Sequence, residues 1–169
     1  EDTQHAIRYL TEQQMIDPQR CLIRGGSAGG YTVLSALTFT DTFQAGASLY
    51  GIGDLETLAK DTHKFESRYM DSLIGPYPER RDIYLERSPI HHAQGLNCPV
   101  IFLQGLEDKV VPPNQAEMMV KLLQDKGIKV AHITFPDEGH GFRKADNIIH
   151  AMESELAFYR DVFNLTDGT

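Results

Sequence analysis

No run of apolar residues in this sequence approaches the length of about eighteen that carries a helix across a bilayer, and no basic-then-apolar leader opens it. Positive charge is scarce: 16 Lys and Arg stand against 24 Asp and Glu, a formal charge of −8. That balance argues against nucleic acid or an anionic membrane surface as a partner. Cysteine is scarcer still. Two in 169 residues exclude a disulfide scaffold, and Cys21 and Cys98 are expected as buried free thiols of a reducing, cytoplasmic setting. Repeats and low-complexity tracts are missing. So is an initiating Met: the sequence opens on Glu1, which leads us to expect a piece of a longer protein.

What is present is enough for one core. At 41% hydrophobic and 24% charged, the composition is that of a single globular enzyme domain. Its most informative stretch is Gly25-Gly-Ser-Ala-Gly-Gly30. A Gly-x-Ser-x-Gly turn between a strand and a helix exposes a serine Oγ above a sheet edge, because small flanking residues let the backbone turn sharply. The flanks agree, with a strand expected over Arg20 to Arg24 after Asp17-Pro18, and a buried helix running past Tyr31, Val33, Leu34 and Leu37 to about Thr40. The competing readings are a glycine-rich turn whose serine is only small and polar, and a phosphate loop, for which the required Gly-Lys-Ser/Thr is absent.

An activated serine needs a base, and the base an orienting acid, which in this arrangement follow in the order Ser, Asp or Glu, His. Val100 to Gly105 reads as a strand with Asp108 in the loop at its carboxyl end. A helix follows over Asn114 to Lys126, closed by Gly127, then a strand over Lys129 to Phe135, then a loop carrying His140. In a doubly wound α/β fold with a mostly parallel sheet, such loops share one rim, so Ser27, Asp108 and His140 can converge. Blander roles exist for each: Asp108 could cap the next helix, with Glu107 a competing carboxylate, and His140 could be an ordinary loop histidine. His63, His91 and His92 lack the spacing of a metal site. No metal or organic cofactor is expected.

Gly25-Gly-Ser-Ala-Gly-Gly-Tyr-Thr32, Gln104-Gly-Leu-Glu-Asp-Lys-Val-Val-Pro112 and Glu138-Gly-His-Gly-Phe-Arg143 together resemble the catalytic domain of prolyl oligopeptidase family serine peptidases, in its acylaminoacyl-peptidase and dipeptidyl-aminopeptidase-like branch. Ser48-Leu-Tyr-Gly-Ile-Gly-Asp54, Thr62-His-Lys-Phe-Glu66 and Ser88-Pro89 extend the similarity over nearly the whole chain. The resemblance implies an α/β-hydrolase fold, short peptides as substrates, Ser27 as nucleophile, His140 as general base and Asp108 as orienting acid. It also places Cys21 and Cys98 on different strands. The backbone N–H of Ala28 would serve the oxyanion.

Between two sheet strands, Gly51 to Gly95 is a long excursion with helical patches over Leu55 to Asp61, Phe65 to Leu73 and Glu79 to Glu86. Excursions at a catalytic rim shape pockets, so Tyr31, Ile52, Val110 and Val111 are candidates to line one, with Tyr50, Phe65 and Tyr69 behind them. Lys64, Arg68, Arg80 and Arg81 could meet a peptide carboxylate or form a solvated face. One helix, about Thr3 to Met15 with Ala6, Ile7 and Leu10 inward, precedes the first strand, and a last helix, about Lys144 to Phe163, offers Ile148, Met152, Leu156, Tyr159 and Phe163 as a core stripe.

Set against the resemblance, the earlier strands of the fold, the loop with the second oxyanion donor and the family's N-terminal β-propeller are expected to lie outside this chain. The fragment alone is then expected to be weakly active or inactive. Two other readings stay open: a small carboxylesterase of dienelactone-hydrolase type, and a non-catalytic assembly module whose open sheet edge pairs with another copy.

Overall fold

The computed structural model describes residues 2–61 and 69–165. Along the chain run α1 (Asp2–Glu12), β1 (Leu22–Gly26), α2 (Ala28–Phe39), β2 (Ala45–Leu49), α3 (Leu55–Asp61), α4 (Tyr69–Leu73), α5 (Arg81–Arg87), β3 (Val100–Gly105), α6 (Asn114–Asp125), β4 (Val130–Phe135) and α7 (Ala145–Val162). The four strands form one parallel sheet in the order β1-β2-β3-β4. Each strand therefore lies beside its neighbour in sequence, and every loop leaving a strand emerges on the same rim. This is the α/β-hydrolase arrangement of strands and crossover helices.

Helices cover both faces, so β2 and β3 are buried at every position. Side chains alternate between the two faces with a period of two. Val100 and Phe102 join Val33, Leu34 and Leu37 of α2 and Met119 and Leu123 of α6, while Ile101 and Leu103 meet Phe135, Ala151 and Phe158 beneath α7. Each fully buried Leu or Phe here contributes about 1.5–3 kcal/mol. A third, smaller cluster of Leu55, Leu58, Met70 and Tyr84 holds α3, α4 and α5 together above the rim. Gln115 ties this cap to α6: its Oε1 accepts from Gly53 N (3.0 Å) and Asp54 N (2.9 Å), and its Nε2 donates to Asp54 O (3.0 Å).

Several boundaries and faces differ from the sequence expectation. Asp17 caps a short 3₁₀ turn over Pro18–Arg20, accepting from Gln19 N at 2.9 Å, and this turn delays β1 to Leu22. Helix α1 ends at Glu12; Ala6 is exposed and Ile7 and Leu10 are half-buried, so it lies on the core rather than in it. The expected stripe on α7 is the larger correction. Ile148, Met152 and Leu156 are 38%, 62% and 51% exposed, and the buried face is Ala151, Glu155 and Phe158. One residue is about 100° of helix rotation, so a face misplaced by one position turns an apolar stripe outward. Tyr159 and Phe163 are half-buried. In the excursion, α4 covers only Tyr69–Leu73 and α5 runs Arg81–Arg87. The rest of the patch expected from Phe65 lies outside the described residues.

Candidate active site

Where β1 gives way to α2, Ser27 takes φ 56° and ψ −120°, a conformation that is costly for a residue with a side chain. Neighbouring geometry enforces it. Ser27 N donates to Leu49 O of β2 at 2.9 Å, and the turn closes tightly enough that a Cβ on Gly25 would sit 2.5 Å from Gly29 O. Ala28 opens α2, so its N–H has no acceptor within the helix and stands beside the serine.

Asp108 leaves the rim after β3 and is 4% exposed. Its Oδ1 accepts from Val110 N and Val111 N, both at 2.9 Å. That fixes the carboxylate plane and leaves Oδ2 for His140 Nδ1 at 2.8 Å. The other ring nitrogen, Nε2, stands 2.8 Å from Ser27 Oγ. An ionised carboxylate can only accept, so Nδ1 carries the proton and Nε2 of the neutral ring accepts from the serine hydroxyl. Tyr50, itself at φ 39°, sets its ring edge-on to the imidazole with centroids 5.0 Å apart. Behind it Phe142 packs on Tyr50 at 5.4 Å. Glu107, the competing carboxylate, is exposed and engages the next loop through its backbone, donating from N to Glu138 O at 2.9 Å.

Ser27, Ala28 and His140 form one wall of a cavity of about 330 Å³. Ile52, Leu58, Tyr69, Met70, Val110 and Val111 complete it. Apart from the catalytic-type groups the lining is almost entirely apolar, which suits an uncharged side chain next to a polar reacting bond. A larger open groove of about 850 Å³ runs along α7 past Leu156 and Arg160 and holds none of these groups.

A model of the prolyl oligopeptidase family matches residues 1–166. The chain belongs to that family. Dipeptidyl aminopeptidase BIII of Pseudoxanthomonas mexicana is 33% identical over 153 residues, covering 87% of this chain and 22% of that protein. Among solved structures, a puromycin-hydrolyzing peptidase of Mycobacterium tuberculosis superposes with TM-score 0.90 at 50% identity, over 93% of this chain and 24% of that one. A puromycin hydrolase gives TM-score 0.94 at 40% identity, over 98% and 25%. This prolyl oligopeptidase family chain thus spans about a quarter of the length of the proteins it matches.

Not every candidate of the family chain reaches the cavity. Ile52, Val110, Val111 and Tyr69 line it, whereas Tyr31 does not. Its hydroxyl donates to Arg87 O at 2.9 Å and its ring packs on the α3–α5 cluster, so it braces the cap. Tyr50 stands behind His140. Arg81 is taken up by Glu56 (Nε to Oε1, 2.6 Å) and Arg80 faces Asp82 at 3.4 Å. His63, Lys64, Phe65 and Arg68 lie outside the described residues. His91 stands 4.0 Å from Asp54 and His92 packs against Phe39. Cys21 is buried and Cys98 half-buried, both free, and burial pushes the Cys98 thiol up to about 11. Both precede their strands rather than lying in them. Leu58 and Met70 were missed by the sequence reading. Both sit on helical patches whose apolar side chains read equally well as packing.

Proposed function

We propose that this chain is the catalytic segment of a serine peptidase that releases apolar residues from short peptides through an acyl-enzyme. Ser27 Oγ attacks the scissile carbonyl carbon as His140 Nε2 takes its proton; Asp108 holds the imidazole in the required tautomer and stabilises the imidazolium. Ala28 N–H supports the oxyanion. The imidazolium returns its proton to the departing amine, and water, activated by the same nitrogen, releases the acyl group. The observation that carries this reading is the unbroken chain Ser27 Oγ, His140, Asp108, with 2.8 Å at both contacts.

The apolar cavity beside Ser27 supports an uncharged, aromatic or branched side chain at the cleaved residue. Two of the similar solved structures are named for hydrolysis of puromycin, which makes puromycin a substrate to try. The relatives named as aminopeptidases and acylamino-acid-releasing enzymes keep cleavage at the N-terminal end of peptides as the shared theme. In the natural full-length polypeptide, a fluorophosphonate is expected to label the wild type and an aromatic aminoacyl anilide to be cut in preference to an acidic one. Ser27→Ala should abolish both; labelling that survives it would remove Ser27 from the reading.

The 169 residues alone are proposed to be weak catalysts. The family resemblance assigns a second oxyanion donor to a loop upstream, and one such donor is worth about a hundredfold to a thousandfold in rate. A second reading, that this segment also assembles through its edge, is favoured by β1. Among the described residues it pairs on one side only, with β2, and the exposed Met152 and Leu156 of α7 share a groove with Arg24 of β1. A further strand, from the family's upstream β-propeller-bearing polypeptide or from a second copy, fits there.

A further inference from the structure

Glu138 is a carboxylate 3% exposed, two residues before His140. Its partners are amides: Oε1 accepts from Arg143 N (3.1 Å), Lys144 N (2.9 Å) and Asn147 Nδ2 (3.0 Å), and Oε2 accepts from Arg143 N (3.0 Å). The Lys144 amide first, then Asn147, holds this carboxyl below its usual range. The nearby cation, Lys144 Nζ, is engaged by Asp137 instead.

These bonds join the two ends of the loop that carries His140. Residue 138 is its entrance, and residues 143 and 144 are the last before α7 begins at Ala145. Lys144, at the N-cap position, makes no side-chain cap, and the Glu138 carboxylate takes up the donors there. Between the ends the chain is a tight turn, with Gly139 bridged to Gly141 and Gly141 at φ +94°. The backbone of the same residue reaches the other loop, as Glu138 O accepts from Glu107 N at 2.9 Å. The contact is close: a Cβ on Gly105 would lie 2.4 Å from Glu138 O.

We infer that Glu138 is the positioning residue for His140: its carboxylate closes the loop over residues 138–144 into a fixed ring, and its carbonyl docks that ring on the Asp108 loop. The inference rests on reading Ser27, His140 and Asp108 as the working group. Its signature is a loss of reactivity without a loss of binding, because Glu138 faces the loop interior and is not among the residues lining the cavity.

The test is fluorophosphonate inactivation of the natural full-length polypeptide, resolved into KI and kinact. Glu138→Ala is expected to lower kinact about a hundredfold with KI held within about threefold, the scale of a catalytic group displaced by an ångström. Glu138→Gln keeps an oxygen for the Oε1 donors and loses the second oxygen and the charge, so it is expected to fall between Ala and wild type. Asp137→Asn, which alters the neighbouring carboxylate but neither loop amide, is expected to match wild type. Wild-type kinact in Glu138→Ala, or an Asp137→Asn loss as large as that of Glu138→Ala, overturns the proposal. Should the Ala variant not fold, Glu138→Gln with wild-type kinact does so. Labelling that persists in Ser27→Ala would instead sink the underlying reading of the site.

Discussion

Asp108 divides its two oxygens between two tasks, and the division makes its role testable. Oδ1 is saturated by the Val110 and Val111 amides, so the carboxylate cannot rotate away from His140 without leaving buried N–H groups unpaired. Asp108→Asn is expected to keep the fold and the apolar cavity but to offer an amide N–H where the imidazole needs an acceptor. The ring then turns its other tautomer to Ser27, and kcat should fall about 10⁴-fold with KM little changed. Steady-state kinetics on an aminoacyl anilide read this directly; a loss confined to KM would contradict it. Ser27, Asp108 and His140 were legible as a spatial group because each rides a short local motif at the end of a strand. Gln104 was not: its amide, fully buried, lies 3.5 Å from Asp108 and donates to Gly105 O and Val111 O at 3.0 and 3.3 Å, which no spacing in the sequence announces.

Among the elements, α3 and α5 are held by Glu56, which accepts from Arg81 Nε (2.6 Å) and Tyr77 OH (2.8 Å) and pairs with Lys60 (3.1 Å). The Arg81 bond first, then Tyr77, brings its carboxyl from 4.5 to about 2. A folded value below the unfolded one means that the stabilisation is full above pH 4.5 and is lost as pH falls toward about 2. Glu56→Gln is therefore expected to lower the melting temperature by a few degrees at pH 7, near 1 kcal/mol because the Arg81 and Lys60 side chains are half exposed. Circular dichroism should find the gap between variant and wild type closing across that acid window; a gap that stays constant to pH 2 would refute the account. The elements themselves were readable where periodicity and breakers agree, as in α6 and β4. On α7 they were not. Glu155 is buried because it accepts from Arg24 Nε (2.8 and 3.0 Å) and from Tyr159 OH (2.8 Å), and a pattern of apolar residues cannot reveal a polar group that faces inward because its partner lies 131 positions away.

At the scale of the molecule, α7 presents Met152 and Leu156 outward, and among the described residues β1 pairs on one side only. The isolated segment is expected to self-associate, and Met152→Glu with Leu156→Glu is expected to shift it toward monomer in size-exclusion chromatography. A wild-type segment that runs as a monomer at high concentration would count against this surface. The order β1-β2-β3-β4 has a consequence in time as well as in space. Strands are laid down from one side of the sheet to the other as the ribosome makes them, and Ser27 and His140 are 113 positions apart. The nascent segment therefore carries Ser27 well before His140, the imidazole that the proposed mechanism needs to take its proton, has been made. On the proposed mechanism the chemistry requires β4 and the loop that follows it, so the reacting group is complete only when the last strand of the sheet and its loop have been added.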